Sequence, residues 1–236
     1  MVSIVMITYN HASFIKEAIE GVLMQEGNFE TELIVANDCS PDNTDEVVKT
    51  ILINHPKKDK VKYFRHETNK GMSNNFIWAL EKCTGKYIAL CDGDDYWTDS
   101  KKLLRQINFL NDHTEYIMVT ENSYWHDYGK NIYYKFSELK ERDVNVEELL
   151  KKRHFGTASV VFRNIPEVMN TSNIIFGDII LWVILSRYGK IKYMENLSSV
   201  YRRHENGIVL SSEKFSWAKK MEMWNKEILN LKPDID

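Results

Sequence analysis

The chain has 236 residues, 43% hydrophobic and 28% charged, with a formal net charge of −3 at pH 7. That balance is too apolar for intrinsic disorder and offers no basic field for nucleic acid; at this length one core can bury roughly 70% or more of the unfolded surface. Three cysteines, Cys39, Cys83 and Cys91, stand at no metal-ligand spacing and read as reduced thiols of a cytoplasmic protein. The amino terminus shows no signal peptide, and the most apolar window, 174–185, is too short to span a bilayer and carries Asp178.

Val2 to Tyr9 is a nearly continuous apolar run, as in a parallel strand covered on both faces, and Asn10 ends it. From His11 to Gln25, Phe14, Ile15, Ala18, Ile19, Val22 and Leu23 recur at helical spacing. Leu33 to Ala36 repeats the strand signal and breaks into the turn-rich run 37–44, which leads into a helix bearing Val47, Val48, Ile51 and Leu52. Val61 to Arg65 is a third strand; Asn69-Lys70-Gly71 is turn chemistry before a helix with Phe76, Ile77 and Leu80; a fourth strand starts at Tyr87. Four alternations predict an α/β fold with a mixed, mostly parallel central sheet and helices on both faces. In such sheets ligands bind at the carboxyl ends of the strands, where Thr8-Tyr9-Asn10, Asn37-Asp38 and Asp92-Gly93-Asp94 fall.

Beyond Trp97 the pattern predicts a helix over 99–111, with Leu103, Leu104, Ile107 and Leu110, and a strand over 116–124. Residues 126–155 are polar and aromatic, with a charged helix near 146–153, and read as an excursion on the acceptor side. A strand over 159–163, a helix around Asp178, short strands over 191–194 and 199–202, and a last helix over 212–231 complete the reading. That last helix sets Trp217, Met221, Trp224, Ile228 and Leu231 on one stripe. Packing on the core or on a second copy in a homodimer is preferred for it over peripheral docking at the inner face of a membrane.

The fourth strand stops at three carboxylates around a glycine. In extended chain, residues i and i+2 share a face, so Asp92 and Asp94 can point the same way. Their repulsion vanishes if Mg²⁺ or Mn²⁺ sits between them and a substrate diphosphate; the plain alternative is an acidic turn. Asp95-Tyr96-Trp97 reads as leading into and capping the next helix, so Asp95 stays outside the metal group. Asp42 reads as a turn and cap residue. Asp178 lies in an apolar run, where an ionised carboxylate needs a cap or an ion pair or else serves as a base whose pKa desolvation raises. The guanidinium of Arg202 or Arg203 suits phosphate geometry.

The stretches Ser3–Asn10, Asn37–Thr44, Asn69–Gly71, Gly85–Trp97, Gly177-Asp178 and Tyr201–His204 resemble, in order, the motifs of family-2 inverting glycosyltransferases. The resemblance covers nearly the whole chain. It implies the single-domain A-type glycosyltransferase fold, a nucleotide-sugar donor, a Mg²⁺ or Mn²⁺ ion, inversion at the anomeric carbon, and a saccharide or lipid-linked saccharide acceptor. By motif position, Thr8, Tyr9 and Asn10 would line the nucleobase pocket and Asp38 would bond the base, with Asn69, Gly71 and Gly93 in the donor loops. Asp92 would face the donor ribose or the metal, Asp94 would ligate the metal, Asp178 would be the general base, and His204 a further metal or diphosphate contact. A donor half over about 1–112, an acceptor half over about 113–211 and a terminal helix over about 212–236 follow. The family has an acid where this chain has Asn37, which leaves dTDP or GDP donors open beside UDP. A non-catalytic nucleotide-sugar-binding module and an Asp-x-Asp phosphatase are the rival readings.

Overall fold

The structure, a computed structural model, describes residues 1–151, 153–166, 178–205 and 207. Strands β1 (Val2–Thr8), β2 (Thr31–Asn37), β3 (Val61–Arg65) and β4 (Tyr87–Leu90) alternate with helices α1 (Ile15–Leu23), α2 (Thr44–Asn54) and α3 (Met72–Glu81). There follow β5 (Tyr96–Trp97), α4 (Lys102–Asp112), β6 (Tyr116–Asp127), β7 (Ile132–Lys135), β8 (Arg142–Val144), α5 (Val146–Lys151), β9 (Val160–Arg163), α6 (Asp178–Leu185) and β10 (Lys190–Arg203). All described strands join one sheet in the order β3-β2-β1-β4-β9-β6-β10-β5, with β7 beside β6 and β8 beside β10. β1 to β4 run parallel, β9 runs against them, and β6 and β10 return to the original direction. The sheet is therefore mixed but mostly parallel.

Alternation along the strands divides the core in two. Val5, Ile34, Ala36, Ile88 and Leu90 face the side covered by α3 and α6, whereas Ile4, Met6, Leu33, Val35 and Ala89 face α1, α2 and α4. Strands buried on both faces explain the unbroken apolar runs. The register places the functional loops together: β1 pairs with β2 from Val2–Thr31 to Thr8–Asn37, and with β4 up to Val5–Leu90. The chain beyond β4 stays against β1, since Cys91 N–H donates to Val5 O and Gly93 N–H to Ile7 O.

Several expectations are corrected. The two short strands over 191–194 and 199–202 are one 14-residue strand, β10. Polar Glu195-Asn196 suggests a break, but β6 holds the strand on both sides of register slips between Met194 and Leu197 and between Leu197 and Ser199. The 126–155 excursion contains the β6–β7 hairpin and β8; all four β7 residues are exposed, so no alternation marks the strand. Asp95-Tyr96-Trp97 does not cap α4. Tyr96 and Trp97 form β5, antiparallel to Val200 and Ser199, because the buried Trp97 indole donates to Ala158 O at 2.7 Å, and it is Asp99 that accepts from Lys101 N–H. Gly177 and the last helix, with its membrane and homodimer readings, lie outside the described residues.

At the amino ends of the strands, buried Glu32 ties four segments: its carboxylate accepts from Ser3 Oγ, Thr84 N and Oγ1, and Lys62 Nζ. Burial alone would raise its pKa, but these donors outweigh it and hold the group at about 2, below the ordinary 4.5. A depressed carboxylate stabilises the fold above its unfolded pKa, and that stability is lost as the pH falls from 4.5 through about 2. Glu32→Gln should cost about 1–3 kcal/mol at neutral pH. Urea melts at pH 6 and pH 3 check this: the gap between variant and wild type should narrow at the lower pH.

Candidate active site

The site is assembled at the carboxyl edge of β1, β2 and β4. Asn10 ends β1 in the left-handed region, φ 60°, which Asn tolerates better than most residues. Three successive amides then dock on the loop after β2: Asn10 N–H on Ser40 Oγ (3.1 Å), His11 N–H on Thr44 Oγ1 (3.1 Å) and Ala12 N–H on Asp42 Oδ2 (3.0 Å). Asp42, which also accepts from Thr44 N–H, is the turn residue expected. Asp38, Asn69 and Gly71 meet as well. Asp38 accepts Lys70 N–H at 2.7 Å and Gly71 N–H at 2.9 Å, Asn69 Nδ2 donates to Asp38 O at 3.2 Å, and Gly71 takes a φ of 80°. Tyr9 is 43% exposed, and the buried Thr8 Oγ1 and Asn10 Oδ1 have no partner among the described residues. An edge that presents a free aromatic ring and two unsatisfied oxygens is suited to a polar, planar ligand.

The acidic loop is a tight turn closed by Asp95 N–H on Asp92 O, 3.0 Å. Its three carboxyls have different surroundings. Asp95 is buried and accepts Arg202 N–H at 2.9 Å; burial first, then the charges of Asp94 and Asp92, push its pKa well up. Asp94 Oδ2 lies 3.1 Å from His204 Nε2 and 3.6 Å from His11 Nε2. Burial would raise its pKa, but the two imidazoles outweigh that and hold the carboxyl below its ordinary range. Burial likewise lowers His11 against the opposing pull of Asp94. Asp92 makes no side-chain hydrogen bond among the described residues, and burial followed by the charges of Asp94 and Asp178, offset in part by Arg153, pushes it up to about 7.

The structure thus brings Asp94 and His204 together, as the sequence suggests. His11 joins them in place of Asp92: one ligand atom from each of His11, Asp94 and His204 lies within 4.8 Å of the others. His11 was legible only as the first residue after the β1 edge motif. Arg202 is committed within the protein, donating to Asp94 O at 2.8 Å, pairing with Glu17 and lying 4.2 Å over the Tyr96 ring.

Asp178 corrects the argument made for it. It is not sunk among apolar side chains. It is the first residue of α6, with its side chain 23% exposed, ion-paired to Arg153 at 2.5 Å, accepting from Thr157 Oγ1 at 3.2 Å and holding Ile179 N–H at 2.9 Å. Of the apolar residues that follow it, Ile180, Leu181, Trp182, Ile184 and Leu185 turn into the core. Arg153, which sequence reasoning passed over in a charged segment, lies 5.2 Å over the Tyr201 ring. The fields of Asp178 and Arg153 both reach Asp92, so the α6 terminus stands beside the acidic loop.

Residues 3–179 match Glycosyl transferase family 2. The chain belongs to that family. The match sets aside the phosphatase reading. An uncharacterised protein of Mycobacterium tuberculosis, Rv1520, is 35% identical over 213 residues, 87% of this chain and 60% of that protein, so the chain spans about three-fifths of the length of this relative. The Escherichia coli protein WfaP, a UDP-Glc:alpha-D-GlcNAc-diphosphoundecaprenol beta-1,3-glucosyltransferase, is 28% identical over 221 residues, 91% of this chain and 81% of its own. The crystal structure of residues 1-349 of S. aureus TarS in complex with UDP-GlcNAc superposes with a TM-score of 0.73 at 20% identity, covering 100% of this chain and 68% of that TarS chain. The fold of this family member is accordingly the A-type.

Gly93 lets the acidic loop close on β1: a Cβ there would lie 2.7 Å from Thr8 Oγ1 and 3.0 Å from His11 Nδ1. Gly93→Ala should destabilise the protein by about 1–3 kcal/mol through overpacking. Gly129→Ala, whose Cβ would meet nothing closer than Asp127 Oδ1 at 3.8 Å, should stay within about 0.5 kcal/mol of wild type. Chemical denaturation of both variants tests the contrast.

Proposed function

We propose that this family-2 transferase moves a sugar from a nucleotide-sugar donor, a UDP-sugar first, to a hydroxyl of a saccharide or lipid-linked saccharide acceptor, with inversion and with Mn²⁺ or Mg²⁺, in surface polysaccharide or glycan synthesis. The observation that carries the reading is the meeting of Asp94 and His204, from loops 110 residues apart, at the strand edge where Asp178 also stands. UDP-GlcNAc in TarS and the UDP-glucose and lipid-diphosphate sugar in the name of WfaP support the donor and acceptor classes.

The donor residues are Thr8, Tyr9 and Asn10 at the end of β1 and Asp38, Asn69 and Gly71 in the loops beside it, where unsatisfied oxygens and an exposed ring meet a base and ribose. Asp38 has two backbone amides already, and a carboxylate can accept further bonds on its remaining lone pairs. The residues at the acidic loop fit a divalent cation: Asp94 and His204 would hold it. When bound, the cation supplies positive charge to the leaving diphosphate. Asp178 takes the proton of the acceptor hydroxyl as that oxygen attacks the anomeric carbon; the bond to the diphosphate oxygen breaks on the opposite face and inverts the centre. Arg153 fixes the carboxylate that receives the proton.

Two substitutions separate these roles. Asp94→Ala should abolish Mn²⁺-dependent nucleotide binding, read by calorimetry, with the fold intact by circular dichroism; unchanged Mn²⁺-dependent affinity would remove Asp94 from the metal site. Asp178→Asn should keep donor and cation binding but lower turnover by at least about 10²-fold, the lower end of what a positioned base contributes. A fully active Asn variant excludes Asp178 as base. An NMR spectrum showing retained anomeric configuration in the wild-type product excludes single displacement, and donor binding without any transfer across an acceptor panel supports the binding-module alternative.

A further inference from the structure

We propose that His11 is a third protein ligand for the divalent cation, so that the free protein binds the ion ahead of the donor and selects Mn²⁺ and other nitrogen-accepting metals over Mg²⁺. The inference rests on the cation-assisted reading above and goes beyond it in naming the ligand, the order and the selectivity.

The geometry around Asp94 Oδ2 is the ground. His204 Nε2 approaches it to 3.1 Å and His11 Nε2 to 3.6 Å. The second separation is too long for a hydrogen bond, so a hydrogen bond to Asp94 does not account for the placement of His11. It does suit two ligands of one ion. With bonds of about 2.1 Å, ligand atoms lie about 3.0 Å apart at a right angle and about 3.4 Å apart at a tetrahedral angle, and all three atoms here fall within 4.8 Å of one another. Both rings offer the same nitrogen to the same oxygen, which leaves one shared position for a cation.

The fold holds His11 there without help from a ligand. Its N–H is fixed on Thr44 Oγ1, its carbonyl accepts Phe14 N–H at 2.9 Å and Ile15 N–H at 2.8 Å, and Asn10 before it makes the turn out of β1. The space its ring fills exists because residue 93 is glycine. His204 is packed on the other side, 6% exposed and 4.6 Å from the Phe14 ring, with the His11 ring 6.1 Å away and nearly perpendicular. A preset pair of imidazoles with one carboxylate makes three of the coordination bonds before any donor arrives, and the remaining positions stay open to substrate oxygens.

The donor set also decides which ion is held. Mg²⁺ is a hard ion that favours oxygen and keeps several waters, and it gains little from imidazole. Affinity for nitrogen ligands rises from Mn²⁺ through Fe²⁺ and Co²⁺, and Zn²⁺ is a good imidazole partner. A site with two nitrogens and one oxygen should therefore discriminate against Mg²⁺ more than a pair of carboxylates would.

The test is Mn²⁺ binding to the full chain with no nucleotide present, followed by the free-ion EPR signal, with electron spin-echo modulation of the bound ion counting imidazole nitrogens. Wild type should bind one Mn²⁺ with two coupled imidazoles, and Mg²⁺ should displace it only at roughly 100-fold excess or more. His11→Gln should leave one imidazole and weaken Mn²⁺ at least about 10-fold, while the surface variant His113→Gln should match wild type. One coupled imidazole in wild type overturns the proposal even if His11→Gln fails to fold, and Mg²⁺ competing at equal concentration overturns the selectivity. If His11→Gln binds as wild type while Asp94→Asn does not, His11 is no ligand and the cation reading stands. If Asp94→Asn also binds as wild type, the cation reading itself falls.

Discussion

The crowding of three carboxylates into one turn, Asp92, Asp94 and Asp95, is the constraint on which the carboxyl edge depends. Like charges a few ångströms apart in a poorly hydrated site cost several kcal/mol if all are ionised and unpaired. The fold resolves this residue by residue. Asp95 is buried with its pKa pushed well up, the two imidazoles hold the Asp94 carboxyl below its ordinary range, and burial and the neighbouring charges push the pKa of Asp92 up to about 7. Arg202 adds its charge from beneath through the Asp94 carbonyl. The repulsion within the loop is thus offset in part by groups of the protein itself.

That arrangement is made by long-range pairing. β10 lies parallel to β6 and antiparallel to β5, and so carries Arg202 and His204 to a loop more than 100 residues earlier. β5 reaches its place because α1 packs closely on it: a Cβ at Gly21 would lie 2.8 Å from Trp97 O. The same helix brings Glu17 to Arg202. The group around Asp94 is therefore coupled to α1, β5 and β10 together, and a disturbance in any of them reaches Asp94.

Most of the parallel half of the fold was legible because β1, β2 and β4 are buried on both faces and α1 carries a strong apolar stripe, as with Leu33–Ala36 and the 14–23 helix. The carboxyl-edge motifs followed from strand order alone. The rest failed for identifiable reasons. β7 is an exposed edge strand with no alternation, and β10 is bulged by polar residues, so local pattern broke where cross-strand pairing did not. β5 is only two residues long, fixed by a buried indole that local sequence cannot place. His11 and Arg153 act through partners 83 and 25 residues distant, and no spacing rule connects them.

Asn37 and Asp178 show how far a residue type can be argued from its neighbours. At 37 the family pattern has an acid, yet Asn37 Nδ2 donates to Tyr63 Oη at 2.9 Å, and Tyr63 passes its single proton to Asp45 at 2.7 Å. A hydroxyl whose proton is already given needs a donor beside it, so an amide fits this position and a carboxylate does not. The amide at this position is thus explained inside the sheet, at a fully buried side chain. Asp178 runs the other way. Its sequence neighbours suggest desolvation, but a helix N-terminus turns the first side chain out while the following residues turn in, and its carboxylate meets Arg153 and Thr157 instead. The carboxylate is held by the Arg153 guanidinium, Thr157 Oγ1 and Ile179 N–H, so in the proposed reaction its part as base would rest on orientation by Arg153 and not on burial.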